Sequence, residues 1–101
     1  MKKARTFSAI IPLFETRIEV GLGVGEISSS GGECDGQTTF EDDGVIRIGF
    51  SESSPSPDLI AHEALHAVQF LEKRIETKFD DETAAYLLGW IVALIWEKLA
   101  V

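Results

Sequence analysis

The chain carries one cysteine, Cys34, among its 101 residues. A single thiol cannot close an intrachain disulfide, so a reducing compartment, the cytoplasm, is the simplest setting. Basic residues are scarce too: nine lysines and arginines face seventeen acids, for a formal charge of −8. That balance argues against nucleic-acid binding, which calls for a basic stripe. It leaves open an acidic protein that docks on a basic partner. Long apolar runs are also missing. The longest, residues 84–96, is too short to cross a bilayer, so no membrane association is expected. The basic start Met1-Lys2-Lys3-Ala4-Arg5 leads into an apolar stretch broken at Pro12 and ended by Glu15, with no small-x-small cleavage site. A secretory leader is therefore not expected. What is present is an apolar content of 45%, ordinary for a globular protein. The length fits one domain, residues 1–101.

Hydrophobic periodicity divides that domain into a sheet and two helices. Residues 6–14 (TFSAIIPLF) predict a strand, with Pro12 confining its later part to an edge or an end. In residues 16–27, Ile18, Val20, Leu22 and Val24 alternate with Arg17, Glu19, Gly21 and Gly23, the signature of a half-buried strand. Its glycines mark a bulge or a close backbone approach. Residues 28–36 (SSSGGECDG) are a loop by composition. Residues 37–40 and 45–51 form a hairpin around the acidic turn 41–44, with Ile46, Ile48 and Phe50 on one face. Residues 52–57 end the sheet. Ser56-Pro57-Asp58 then predicts a helix start, with Ser56 as N-cap and Pro57 in the first turn. That helix spans 57–76, with Ile60, Ala64, Ala67, Val68, Leu71 and Ile75 as its core stripe and His62, His66, Gln69 and Lys73 on another face. Asp80 or Asp81 caps a second helix over 82–100 that is apolar nearly all round, Trp90 and Trp96 included. So much apolar surface points to burial by a partner, a second copy of the chain being one choice. The fold class is α+β: a small antiparallel or mixed sheet, then a motif helix, then a C-terminal helix.

Residues 62–66 read His-Glu-Ala-Leu-His, an H-E-x-x-H motif. Histidines at i and i+4 share a helix face and can share one metal ion, while the glutamate beside the first can reach a water on that metal. A catalytic zinc takes three protein ligands and an open position. His62 and His66 are the only histidines, so the third ligand must be another residue type. Glu82 is the choice: Glu82, Ala85, Tyr86 and Gly89 share a face, and the small Ala85 and Gly89 would let the two helices approach closely. Asp81 is the fallback ligand or a support for one. Cys34 is more remote, and is read as a plain thiol or as a latency device whose loop folds over the zinc. The chemistry expected is a zinc-activated water, Glu63 as general base and Tyr86 as a donor to the oxyanion. A peptide substrate would add as a strand to residues 45–51 if they form the sheet edge.

On these residues the chain resembles the zincin metallopeptidases, and within them the gluzincin branch. The length is similar to that of the minigluzincins. Glu82-Thr83-Ala84-Ala85 resembles the E-x-x-A of ImmA/IrrE-like peptidases. The resemblance covers residues 45–90 and implies His62, His66 and Glu82 as zinc ligands and Glu63 as base. It departs from the E-x-x-x-D of many gluzincins, since Tyr86 stands at the fifth position. The alternative function is a non-catalytic zinc-binding interaction or inhibitor module that keeps a degenerate peptidase fold.

Overall fold

A computed structural model describes residues 4–29 and 32–99. In chain order the elements are β1 (Arg5–Ile11), β2 (Thr16–Leu22), β3 (Ile27–Ser29), β4 (Gly32–Cys34), β5 (Gly36–Phe40), β6 (Ile46–Phe50), α1 (Pro57–Ile75) and α2 (Asp81–Leu99). The expected α+β class is present, as a four-stranded mixed sheet of order β1-β2-β6-β5 followed by two helices. β2 and β6 pair in parallel, and the other two pairings are antiparallel. Among the described residues no helix is long and apolar enough to cross a membrane.

Alternation builds the sheet's inner face. Ile18, Val20 and Leu22 of β2 and Ile46, Ile48 and Phe50 of β6 are all buried, and register sets Ile18 beside Ile46 and Val20 beside Ile48. The helices close over that face with Ile60, Ala64, Ala67, Val68 and Leu71 from α1 and Leu87, Ile91 and Ile95 from α2. Each large aliphatic so buried contributes about 1.5–3 kcal/mol. A domain whose net stability is about 5–15 kcal/mol depends on this one core.

Several expected boundaries move. β1 ends at Ile11, and residues 12–15 form a turn in which Leu13 and Glu15 take positive φ of 77° and 49°. β2 ends at Leu22 because Gly23 and Gly25 take positive φ of 71° and 85° and redirect the chain. Residues 28–36 are not simply a loop: β3 and β4 pair as a two-stranded ribbon, and β5 already begins at Gly36. Backbone pairing needs no apolar period, so the serine- and glycine-rich composition concealed it. Ser30 and Gly31 lie outside the described residues, as does Ala100, the expected end of α2. The close approach expected at a β2 glycine is real. A Cβ on Gly21 would stand 2.7 Å from Val24 Cγ1, and one on Gly49 would stand 3.8 Å from Ile27 Cδ1, so both glycines admit residues 24–27 onto the outer face.

The strand expected at the sheet edge, 45–51, is interior: β6 lies between β2 and β5, and β5 is the edge strand on that side. On its outer side Arg47 binds Glu19 at 2.9 Å and Asp43 at 2.6 Å, and Arg47 holds the Asp43 carboxyl below the usual carboxylate range. α2 buries one stripe and half-buries Ala84, Leu88, Trp90, Val92 and Leu94, which leaves Tyr86 and Trp96 as its exposed large apolar residues.

Asp80 caps α2, its Oδ1 accepting from the Thr83 N–H at 2.7 Å. The Thr83 side chain and N–H together hold its carboxyl below the usual range. A pKa lowered by folding stabilises above the unfolded-state value, and that contribution is lost as pH falls through the folded value. Asp80→Ala is expected to lower the urea midpoint at pH 7. The gap to wild type should narrow below about pH 4. A gap that stayed constant between pH 7 and pH 3 would show that the charge contributes nothing.

Candidate metal centre

The start of α1 sets the helix phase. Pro57 occupies the first helical position, and the Ile60 N–H donates to the Ser56 carbonyl at 3.0 Å. Ser56 holds the N-cap position in extended backbone, but its hydroxyl does not cap the helix. It is taken instead by Asp58, whose carboxyl it draws below the usual range. From there the buried stripe Ile60, Ala64, Ala67 and Leu71 faces the sheet, which leaves His62, His66 and Gln69 exposed on the far face.

The two imidazoles converge. His62 Nε2 and His66 Nε2 are 3.2 Å apart, with ring centroids at 4.8 Å and planes at 78°. At that separation the pair can share a proton or a cation. A tetrahedral zinc with Zn–N bonds of about 2.0–2.1 Å holds its nitrogens about 3.3 Å apart, so the spacing fits such an ion. The outer nitrogen supports the same reading. His66 Nδ1 lies 3.2 Å from Gln69 Oε1, and in the tautomer that donates to this oxygen Nε2 presents its lone pair. Metal-bound histidines are oriented in this way by a partner on the second nitrogen.

Glu63 projects from the flank of α1 toward the edge strand and is only 5% exposed. Its Oε1 accepts from the Thr38 hydroxyl at 2.7 Å. Gly36 faces it closely: a Cβ there would stand 3.1 Å from Glu63 Cγ and 3.3 Å from Leu59 Cδ1. Two residues further along β5 from Thr38, Phe40 stacks on Phe70 of α1 at 6.2 Å between centroids. Gly36, Thr38 and Phe40 therefore form one face of β5, fitted to Leu59, Glu63 and Phe70. Thr38 and Gly36 went unrecognised in the sequence, because their role depends on β5 being the strand beside α1. Gln69 was visible on the histidine face, and i+3 spacing from His66 was its signal.

The other expected site residues stand apart. Glu82, Ala85, Tyr86 and Gly89 are exposed, opposite the Leu87–Ile91–Ile95 stripe, and Tyr86 is 52% exposed. A Cβ on Gly89 would meet nothing within 4 Å, so this face does not bring the helices together. Cys34 Sγ turns to the Ile27 carbonyl at 3.9 Å. Among the described residues no third histidine, cysteine, aspartate or glutamate gathers with the pair into a metal-holding group. The length of α1 accounts for this. From His66 the helix runs on to Ile75, about 13 Å at 1.5 Å per residue. The Phe79 N–H then donates to Glu72 Oε2 at 2.7 Å, which sets the start of α2 level with the last turns of α1.

Gly36→Ala is expected to lower stability by about 1–3 kcal/mol, because the added methyl would press on Glu63 and Leu59. Urea denaturation measures it, and an unchanged midpoint would show that both side chains yield freely.

Comparison with protein-family models, with curated proteins and with solved structures found no match to this chain. Its function is therefore argued from its own residues.

Proposed function

We propose that the chain is a zinc-dependent metallopeptidase of the gluzincin-like zincin type, with His62 and His66 anchoring the metal and Glu63 as general base. The observation that carries this reading is the pair of Nε2 atoms 3.2 Å apart, next in sequence to a glutamate that is only 5% exposed. When bound, zinc supplies Lewis acidity, polarising a carbonyl and making water nucleophilic near neutral pH. Glu63 accepts the proton released by the attacking water and delivers it to the leaving amine as the C–N bond breaks. Glu82 is the proposed third ligand and Asp81 its alternative. Tyr86, on the same face of α2 as Glu82, is the proposed oxyanion donor. An extended peptide or protein substrate would pair with β5, since its side away from β6 carries no strand among the described residues.

A second reading is a non-catalytic zinc-binding interaction or inhibitor module, in which Glu63, only 5% exposed and bound by the Thr38 hydroxyl, is a structural acid. One experiment separates the two. Purified protein should hold about one zinc per chain and cleave an unfolded protein such as casein. Glu63→Gln should keep the zinc and lose at least about a hundredfold in rate. A variant that cleaves normally would remove the peptidase assignment, and zinc without cleavage by wild type would select the interaction module.

The ligand set has its own tests. Gln69→Leu should weaken zinc binding about ten- to a hundredfold, read by competition with a chromophoric chelator. Glu82→Ala should weaken it more than Asp81→Ala, and the reverse order would exchange their roles.

A further inference from the structure

Thr38 stands at the middle of β5 with its side chain on the face that meets α1. Its Oγ1 lies 2.7 Å from Glu63 Oε1 and 3.1 Å from the Glu63 carbonyl oxygen, linking positions 25 residues apart. A hydroxyl has one proton to give. The shorter contact falls near the range of hydroxyl-to-carboxylate bonds, so the proton goes to Oε1. The second oxygen is confined differently: Oε2 would lie 3.4 Å from a Cβ on Gly36, so the glycine backbone is what leaves it room. One carboxylate oxygen is thus held by a donor while the other keeps its lone pairs. Phe40 on Phe70 packs strand against helix beyond Thr38, next to the donor and its acceptor.

We propose that Thr38 is a positioning residue for the carboxylate of Glu63, an inference that rests on the peptidase reading. Thr38 touches no reacting atom and acts only through Glu63. A general base is effective when its oxygen is held within reach of the water proton, and a misplacement of about 1 Å can cost on the order of a hundredfold. The Thr38 bond removes the freedom that would allow that misplacement. Valine in its place would keep the shape and the strand preference and lose only the donor.

The test uses the full chain loaded with zinc, a quenched fluorescent peptide as substrate, and the variants Thr38→Val and Thr38→Ser. Thr38→Val should lower kcat about ten- to a hundredfold with KM and zinc content unchanged, and Thr38→Ser should restore most of the rate. If the valine variant does not fold, Thr38→Ala replaces it under the same expectations. A second readout uses the metal-free protein. The side-chain carboxyl carbon resonance of Glu63 should move in Thr38→Val and stay in place in Thr38→Ser. Full kcat in Thr38→Val, beside an inactive Glu63→Gln, would overturn the positioning role and leave the peptidase reading intact. A rate that fell only with the folded fraction would overturn it too, reducing Thr38 to a brace. A zinc-loaded wild type without hydrolysis would remove the peptidase reading and the inference together.

Discussion

The phase of α1 is the constraint on which the rest depends. A helix turns about 100° per residue, so burying one stripe decides where every other side chain points. Ile60, Ala64, Ala67 and Leu71 are all fully buried against the sheet and α2. With that stripe fixed, His62 and His66 must face outward together and Glu63 must leave the helix from its flank. Rotating α1 by one residue would bury a histidine and expose aliphatic surface worth several kcal/mol. The geometry of the motif is therefore enforced by the core beneath it, and the histidines themselves contribute little to the fold.

Glu63 reverses that division of labour. A carboxylate removed from water is costly unless it is hydrogen-bonded, and here one hydroxyl and a glycine notch accommodate it. An apolar side chain would fill the same space against Leu59 and Gly36 at lower cost. An acid at this position, next in sequence to His62, is a local conflict with good packing, and such conflicts concentrate where a site does chemistry. β5 serves both ends: its inner face carries the acid's partners, and its side away from β6 carries no strand among the described residues.

Much of this was legible in the sequence wherever the cause is local. Alternation in 16–22 named the inward residues of β2, Ser56-Pro57-Asp58 located the start of α1, and the choice of Asp80 or Asp81 as cap contained the right residue. What stayed hidden is non-local. Nothing in residues 45–51 reveals that β2 pairs beside them in parallel and makes β6 interior, since strand order depends on the whole sheet. The ribbon of β3 and β4 shows no apolar period in its sequence, since main-chain groups can pair without one. Thr38 and Glu63 carry no mark of each other across 25 intervening positions of the chain. The small residues Ala85 and Gly89 suggested a close helix contact, yet Leu87, Ile91 and Ile95 are the residues α2 buries, since larger side chains gain more from burial.

The part of the site that geometry leaves most demanding is the third ligand. α1 outlasts its motif: Glu76 in left-handed conformation ends it, with the Thr77 N–H on the Glu72 carbonyl at 3.1 Å. Those last turns carry Gln69, Glu72 and Lys73, and with Thr77 and Lys78 they line a groove between the histidine face and the turn into α2. A ligand from the first turn of α2 has to reach back across that groove. Gln69 borders the groove and also contacts His66 by its outer nitrogen, so on the proposed function it would stand beside the path of a third ligand. On the proposed function, completing the ligand set and orienting His66 would both involve Gln69.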